Sequence, residues 1–107
     1  MVTFEDFKKL DIRIGKVISV EKVPNTEKLL KFAFDLGSEK RQIMAGMSEF
    51  FPNPSELVGK EMPILTNIEP REFLGYKSEG MIIAADHKDR PILLTPEEEI
   101  PPGSVVR

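Results

Sequence analysis

A short polar segment, PNTEKLLKF at residues 24–32, groups side chains that are suited to hold a phosphate or a base edge. The amide of Asn25 can pair with either group, and Lys28 and Lys31 supply cations beside it. The same residues also fit a simpler structure, in which Asn25 or Thr26 caps a turn before a strand with ordinary solvent-exposed lysines. The residue types alone favour the simpler structure, so a binding role for this segment needs further support.

A second segment, NIEPREFLGYKSEGMIIAA at residues 67–85, combines cations, a hydroxyl and apolar side chains. Arg71, Lys77 and Ser78 precede Met81, and Phe73 and Tyr76 belong to the same stretch. Single-stranded RNA is held by such a combination, because its bases stack on apolar faces while its phosphates pair with Lys and Arg. The alternative is that Phe73 and Met81 fill the end of the core. This is the preferred interpretation for Phe73, whereas the thioether of Met81 suits either use.

The sequence offers few residues for catalysis, disulfide bonds or metal binding. The chain has no cysteine and a single histidine, which excludes disulfides and thiolate metal sites and leaves no imidazole cluster for a transition metal. His87 is predicted to be a turn residue, and the run Glu97–Glu99 a solvated edge. No glycine pattern typical of phosphate-cradling loops is present. We therefore expect no catalytic residue, no cofactor, no metal and no small-molecule substrate.

The distribution of charge is uneven along the chain. The formal net charge is −3, yet residues 8–41 carry nine basic and five acidic side chains, a balance of +4, whereas the remainder sums to −7. A basic region can bind a polyanion although the whole molecule is acidic. A solvated surface of mixed charge, as in many heat-adapted proteins, explains the same numbers equally well.

The sequence predicts neither a membrane span nor a secretory signal. No apolar run reaches the roughly 18 residues that a spanning helix needs, and the N-terminal MVTFEDFKKL is acidic and interrupted. We expect the chain to be cytoplasmic. A chain of 107 residues is long enough for one domain and too short for two, so residues 1–107 are expected to form a single domain.

The elements that must position these residues are mostly strands. A helix is predicted over residues 3–9 with Thr3 as its cap. A strand follows over 11–23 with an even-numbered apolar face (Ile12, Ile14, Ile18, Val20) and a bulge or bend at Gly15. Further strands are predicted at 29–36, 40–45, 61–68 and 81–85, and a short ribbon at PILL. In the second strand Leu30, Phe32, Phe34 and Leu36 share one face, and Lys31 and Asp35 the other.

The remaining segments are predicted to connect the strands. Residues 48–61 form a loop with a short helix near Pro54–Val58 that Asn53 can cap, residues 69–80 form a loop, and the tail TPEEEIPPGSVVR is irregular because of its prolines. Five strands with one helix between the third and the fourth are typical of an all-β, five-stranded OB-fold barrel with a proline-rich extension. Composition alone leaves an SH3-like barrel or a small sandwich open.

Seven ordered blocks resemble the tRNA-binding domain family, which occurs in methionyl-tRNA synthetases and as a free dimeric tRNA-binding protein. They are LDIRIGKV at 10–17, PNTEKLL at 24–30, RQIMAGM at 41–47, ELVGK at 56–60, NIEPREFLG at 67–75, SEGMIIAA at 78–85 and PPGS at 101–104. The resemblance implies an OB fold that binds tRNA by shape and backbone without reading base sequence. It also implies a homodimer formed through the N-terminal segment and the tail. A chain starting at Met1 resembles the separate beta subunit, or trans-acting partner, of a methionyl-tRNA synthetase catalytic subunit.

The resemblance also implies which residues face RNA. The family's RNA-facing positions fall on Asn25, Lys28, Arg41, Lys77, Ser78 and Met81. Lys31 joins them by strand parity, because it points away from the apolar face of its strand. Secondary candidates are Arg13, Lys16, Asn67 and Arg71. Two departures from the family pattern, Thr26 in place of alanine and Leu30 in place of tyrosine, put the contacts near residue 30 in question.

Two other functions compete with tRNA binding. A peptide-binding export chaperone of the CsaA type is similar in fold, length and dimer architecture, but the AGM and SEGM blocks at 45–47 and 78–81 are typical of the tRNA-binding branch. A small hydrolase would need a nucleophile–base pair or a metal cage, and the sequence offers neither.

Overall fold

A computed structural model describes all residues, Met1–Arg107. Its only α-helix is α1, Phe4–Lys8. Thr3 caps this helix as predicted: its hydroxyl accepts from the backbone N–H of Asp6 at 3.1 Å, and the Asp6 carboxylate accepts from the N–H of Thr3 at 3.1 Å. None of its residues is buried, and a helix of five residues is far too short to cross a membrane.

All strand pairs are antiparallel, and every strand except the first has six residues or fewer. The strands are β1 (Ile12–Lys22), β2 (Leu30–Asp35), β3 (Lys40–Ala45), β4 (Glu61–Leu65), β5 (Arg71–Phe73), β6 (Tyr76–Ser78), β7 (Met81–Ile82), β8 (Ala84–His87), β9 (Arg90–Leu93) and β10 (Val105–Val106). The main sheet runs in the order β3-β2-β1-β4-β7. It curls until the segment before β7 meets β3, where the N–H of Glu79 donates to the carbonyl of Gln42 at 2.8 Å. This nearly closed five-stranded barrel confirms the OB-like fold.

The core fills the inside of the barrel. The predicted apolar face of β2 is confirmed, since Leu30, Phe32, Phe34 and Leu36 are all buried. The rings of Phe32 and Phe34 lie 5.3 Å apart between centroids. Alternation along β2 then forces Lys31 and Asp35 onto the outer face, as predicted.

The predicted even-numbered face of β1 is confirmed only in part, since Ile14 is buried and Val20 packs against the core, but Ile18 is exposed. The register between β1 and β2 shifts between Val17 and Ser19, and a one-residue shift reverses which face each side chain occupies. A Cβ added to Gly15 would lie 3.0 Å from atoms of Ile64 and Phe34, so Gly15 faces the core and the bulge lies beyond it. Val17 is consequently buried in the core, whereas Ile18 is exposed.

The connection between β3 and β4 contains two short 3-10 helices, Ser48–Phe50 and Pro54–Leu57. The second lies where a short helix was predicted, with Pro54 in its first turn. Asn53 precedes it but makes no side-chain capping hydrogen bond, so the predicted cap is wrong.

The predicted loop at 69–80 and the predicted strand at 81–85 also need correction. Residues 71–78 form a hairpin of β5 and β6, with Phe73 opposite Tyr76. The stretch MIIAA is divided between β7, which pairs with β4, and β8, which pairs with β9. His87 is the last residue of β8 and lies opposite Arg90.

The tail returns along β1. The N–H of Ile100 donates to the buried carboxylate of Glu61 at 3.0 Å, and Ile14 exchanges backbone hydrogen bonds with Gly103 and Ser104. The tail ends in β10, which pairs with the start of β1. This pairing brings the tail next to α1.

Candidate nucleic-acid interface

The outer face of β2 and β3 is bordered by two connecting segments, and OB folds bind oligonucleotides on this sheet face and its neighbouring loops. One flank is the β1–β2 loop, residues 23–29, and the other is the β5–β6 hairpin. We call the outer face of β2–β3 together with these two flanks the loop face.

Lys31 lies at the centre of the loop face. Its ammonium nitrogen is 2.7 Å from a carboxylate oxygen of Glu21 on β1 and 5.3 Å from the ring centroid of Tyr76 on β6. The hydrogen bond to Glu21 raises the pKa of Lys31 above its ordinary value, so the side chain stays charged at neutral pH. Three separate elements therefore bring a cation and an aromatic ring together.

Lys77 lies on the hairpin, exposed in the middle of β6 opposite Glu72. Its backbone is fixed to the barrel, because its carbonyl accepts from the side-chain amide of Gln42 at 2.9 Å. A cation on a short, anchored hairpin loses little freedom when it contacts a phosphate.

Ser78 does not present its hydroxyl to solvent. The side chain is buried, accepts from the backbone N–H of Met44 at 3.0 Å and donates to the carbonyl of Gly80 at 3.3 Å. Its oxygen therefore ties the hairpin to β3, and its contribution to the loop face is to hold Lys77 in place.

Replacing Ser78 by alanine should lower the free energy of unfolding by about 1–3 kcal/mol, because the buried N–H of Met44 loses its acceptor. Chemical denaturation of the two proteins measures this difference. Ser55→Ala, at an exposed position, is the matched control and should change stability by less than about 0.5 kcal/mol. Equal stability of Ser78→Ala and the unaltered protein would contradict the structural role of the hydroxyl.

Arg41 lies away from the loop face. It pairs with Phe34 on the inner side of the sheet, whereas Lys31 pairs with Met44 on the outer side. Its guanidinium contacts the Glu39 carboxylate and donates to the carbonyls of Thr66 and Glu79, the latter at 3.3 Å. These bonds close one end of the barrel, beside a polar cavity of 160 Å³.

The β1–β2 loop exposes both Asn25 and Lys28. Asn25 has a φ of 65°, a left-handed conformation that asparagine tolerates better than most residues. The Thr26 hydroxyl accepts from the N–H of Lys28 at 3.2 Å, and the carbonyl of Lys28 accepts from the N–H of Ser48 at 3.0 Å. Thr26 therefore shapes the loop.

The other departure from the family pattern, Leu30, is fully buried. A side chain at this position faces the core, so leucine removes no group from the loop face. The aromatic ring of the loop face comes from Tyr76 instead.

Met81 and Arg71 lie at the edge of the hairpin. Met81 is 43% exposed and borders a crevice of 40 Å³ between the hairpin and the barrel. The Arg71 guanidinium carbon is 4.8 Å from the ring centroid of Phe73. Phe73 is half-buried in the hairpin and is not part of the core, so the prediction that it fills the end of the barrel is wrong.

The remaining secondary candidates have partners within the protein. Arg13 bonds the Asp11 carboxylate at 3.0 Å, which lowers the pKa of Asp11. Lys16 bonds Glu99 at 3.0 Å, which raises the pKa of Lys16. Asn67 donates to the carbonyl of Lys9 at 2.7 Å and accepts from the N–H of Asp11 at 2.8 Å. These contacts hold α1 and the tail against the barrel.

Comparison with known proteins places the chain in a family. The family model described as "Putative tRNA binding domain" matches residues 12–105. The methionine–tRNA ligases of Archaeoglobus fulgidus and Thermotoga maritima are 48% and 49% identical to it over 105 residues, with 98% of this chain and 16% of each ligase covered. The chain thus spans about a sixth of the length of these curated relatives.

Two solved structures share the fold over the whole chain. A MetRS-related protein from Pyrococcus horikoshii is 35% identical with a TM-score of 0.93, and the match covers 100% of this chain and 98% of that one. The chaperone CsaA from Bacillus anthracis str. Ames is 30% identical with a TM-score of 0.89, covering 100% and 99%. Because the family model and relatives of nearly 50% identity both extend over almost all of its residues, the chain belongs to the tRNA-binding domain family.

Proposed function

We propose that this chain is a non-catalytic tRNA-binding module that grips tRNA by its backbone and shape through the loop face. The observation that carries the proposal is the contact of Lys31 with the Tyr76 ring, with exposed Lys28 and Lys77 on the two flanks of the loop face. Lysines pair with phosphates without reading base sequence, and an aromatic ring stacks on any base. The family match supports RNA as the ligand.

The seven predicted site residues divide into two roles in this proposal. Asn25, Lys28, Lys31, Lys77 and Met81 contact RNA, because each has solvent-accessible surface on the loop face or, for Met81, at its edge beside the hairpin. Ser78 and Arg41 act as positioning residues, because their polar atoms bond the backbone that carries the hairpin and its ends.

Salt dependence tests this mechanism directly. If about three phosphates are neutralised, affinity for tRNA should fall roughly 20- to 40-fold between 50 and 200 mM salt, since the log–log slope is about −0.7 to −0.9 per phosphate. Filter binding or anisotropy with total tRNA at several salt concentrations gives the slope. An affinity that does not change with salt concentration would contradict binding through phosphate contacts.

We further propose that the module serves a methionyl-tRNA synthetase, as a beta subunit or trans-acting partner that raises the local concentration of tRNA. In support, the similar domains lie within methionine–tRNA ligases, and a MetRS-related protein matches over 98% of its own chain. Such a module would work in the cytoplasm. Adding it to a synthetase catalytic chain should lower KM for tRNA and leave kcat unchanged.

A homodimer is the assembly that we propose, formed through α1 and the tail. These segments expose Phe4, Phe7, Leu10 and Val105 at 69%, 36%, 47% and 51%, around a groove of 460 Å³. Adjacent apolar side chains of this kind mark an interaction surface, and a second copy would present the same surface in return.

Phe4→Glu should convert the dimer to a monomer, because the charge would be buried unpaired at the interface. Light scattering after gel filtration measures the mass. Val58→Glu is the control, since Val58 is 49% exposed and lies outside this surface. A monomeric unaltered protein, or a Phe4→Glu variant of dimer mass, would contradict this assembly.

A peptide-binding chaperone is the competing function, because the chaperone CsaA is 30% identical over the whole chain. Incubating the protein with unfractionated tRNA or with an unfolded model protein before gel filtration separates the two functions. Co-elution with tRNA alone supports the module, and co-elution with the unfolded protein alone supports the chaperone.

A further inference from the structure

The tip of the β5–β6 hairpin has an unusual residue. Leu74 and Gly75 connect Phe73 to Tyr76 with φ angles of 51° and 85°, which is the pattern of a two-residue type I′ turn. Asparagine, aspartate and glycine favour this turn, whereas a leucine there brings its Cβ close to the following carbonyl. Folding alone would therefore not select leucine at position 74.

Nothing in the protein offsets this cost. The side chain of Leu74 is 67% exposed, so it gains little from burial. The other two-residue hairpin of the chain, β8–β9, has the same kind of turn, with Lys88 and Asp89 at φ 53° and 61°, and uses polar residues there. An exposed apolar side chain in a strained turn indicates a contact made outside the protein.

The surroundings of Leu74 indicate the chemistry of that contact. The stem below it carries Lys77 and Tyr76, and Lys31 lies over the Tyr76 ring. The stem is anchored to β3 through Gln42 and Ser78, so the tip has a fixed position. An apolar tip on a cationic stem matches a ligand with anionic groups beside flat apolar faces, which is a nucleotide with an unstacked base.

We propose that Leu74 is an RNA-contact residue whose side chain packs against the face of an unstacked base or ribose, while Lys77 and Lys31 hold the adjacent phosphates. Apolar residues inserted beside bases have this role in other nucleic-acid complexes. The proposal deepens the tRNA-binding function and depends on it. It adds a requirement on the shape of the RNA, because the hairpin tip can pack only against an RNA loop or strand end. A continuous RNA duplex offers no unstacked base for this contact.

The test combines tRNA affinity with thermal stability. Leu74→Asn should raise Tm by about 4 °C, because asparagine suits the turn. It should also weaken tRNA binding by about five- to tenfold through loss of apolar contact. The salt slope should not change, because no charge is removed. Leu74→Met, which keeps an apolar side chain, should bind within about twofold of the unaltered protein.

Two controls make the result specific. Lys88→Asn alters the same kind of turn in the β8–β9 hairpin and should raise Tm without a loss of affinity comparable to that of Leu74→Asn. A perfectly paired RNA duplex should bind Leu74→Asn and the unaltered protein equally.

Unchanged tRNA affinity of Leu74→Asn would overturn the inference and leave the tRNA-binding function standing. If Leu74→Asn changed the molecular mass in solution and left the tRNA affinity unchanged, the inference would also be overturned. That result would assign Leu74 to a contact between protein chains. Failure of the unaltered protein to bind tRNA would overturn the proposed function itself, which distinguishes the two failures.

Discussion

Reversing the charge of Lys28 and Lys77 together should lower the affinity for tRNA about a hundredfold at low salt. In the proposed complex, each substitution removes a phosphate contact and places a carboxylate beside the phosphate, an effect of roughly tenfold per site. The two lysines lie on different flanks of the loop face, so their effects should add. Neither ammonium has a carboxylate partner in the structure, so the substitutions break no internal ion pair.

The salt slope provides a second measurement of the same prediction. Loss of two phosphate contacts should make the slope shallower by about two. Lys60→Glu changes the net charge by as much as either single reversal, and Lys60 lies just before β4, which pairs with the opposite end of β1 from the β1–β2 loop. This control should change affinity by less than about threefold, because exposed charges more than about 10 Å away are largely screened at 0.1 M salt. If Lys77→Glu alone bound tRNA as tightly as the unaltered protein, the hairpin would not be part of the RNA surface.

Lys31 is a poor choice for such an experiment although it lies at the centre of the loop face. Its ammonium bonds Glu21 and lies over Tyr76. Replacing Lys31 would leave Glu21 without its partner and release Tyr76, so a loss of affinity could arise from rearrangement. Lys28 and Lys77 test the contact with phosphate more directly.

The strands were predictable where alternation continues without interruption. Three apolar residues of β2 and Leu36 just after it alternate strictly, so the outward position of Lys31 could be predicted from the sequence alone. In β1 alternation fails at the bulge between Val17 and Ser19, and no residue there signals it. The β5–β6 hairpin was missed because Leu-Gly is not among the usual turn pairs.

The roles of Arg41 and Ser78 could not be predicted from the sequence, for a different reason. Residue type shows which atoms can donate or accept, but whether those atoms are free depends on distant parts of the chain. The Ser78 hydroxyl meets the N–H of a residue 34 positions earlier, and Arg41 donates to carbonyls 25 and 38 positions later. Alternation placed Lys31 correctly because strand parity is local.

The PPGS block of the tail shows how a family motif can be structural. Gly103 has a φ of 90°, and a Cβ added to it would lie only 2.2 Å from the carbonyl oxygen of Leu36. Its N–H donates to the carbonyl of Ile14 at 2.7 Å. The backbone of the tail thus passes directly over the end of β2, and only glycine permits this approach. The position of β10, and with it Val105 of the proposed dimer surface, depends on that contact.

Gly103→Ala should therefore lower the free energy of unfolding by about 3 kcal/mol, through left-handed strain and overlap with backbone that cannot yield. For a chain of this size the fall in Tm should exceed about 10 °C. Gly59→Ala is a matched control, because Gly59 also has a positive φ, 89°, but an added Cβ meets nothing within 4 Å. Gly59→Ala should lower the free energy of unfolding by only about 1 kcal/mol. Scanning calorimetry compares both variants, and light scattering should show Gly103→Ala shifted toward monomer. Equal losses in the two variants would mean that strain alone, and not the contact with β2, makes glycine necessary at position 103.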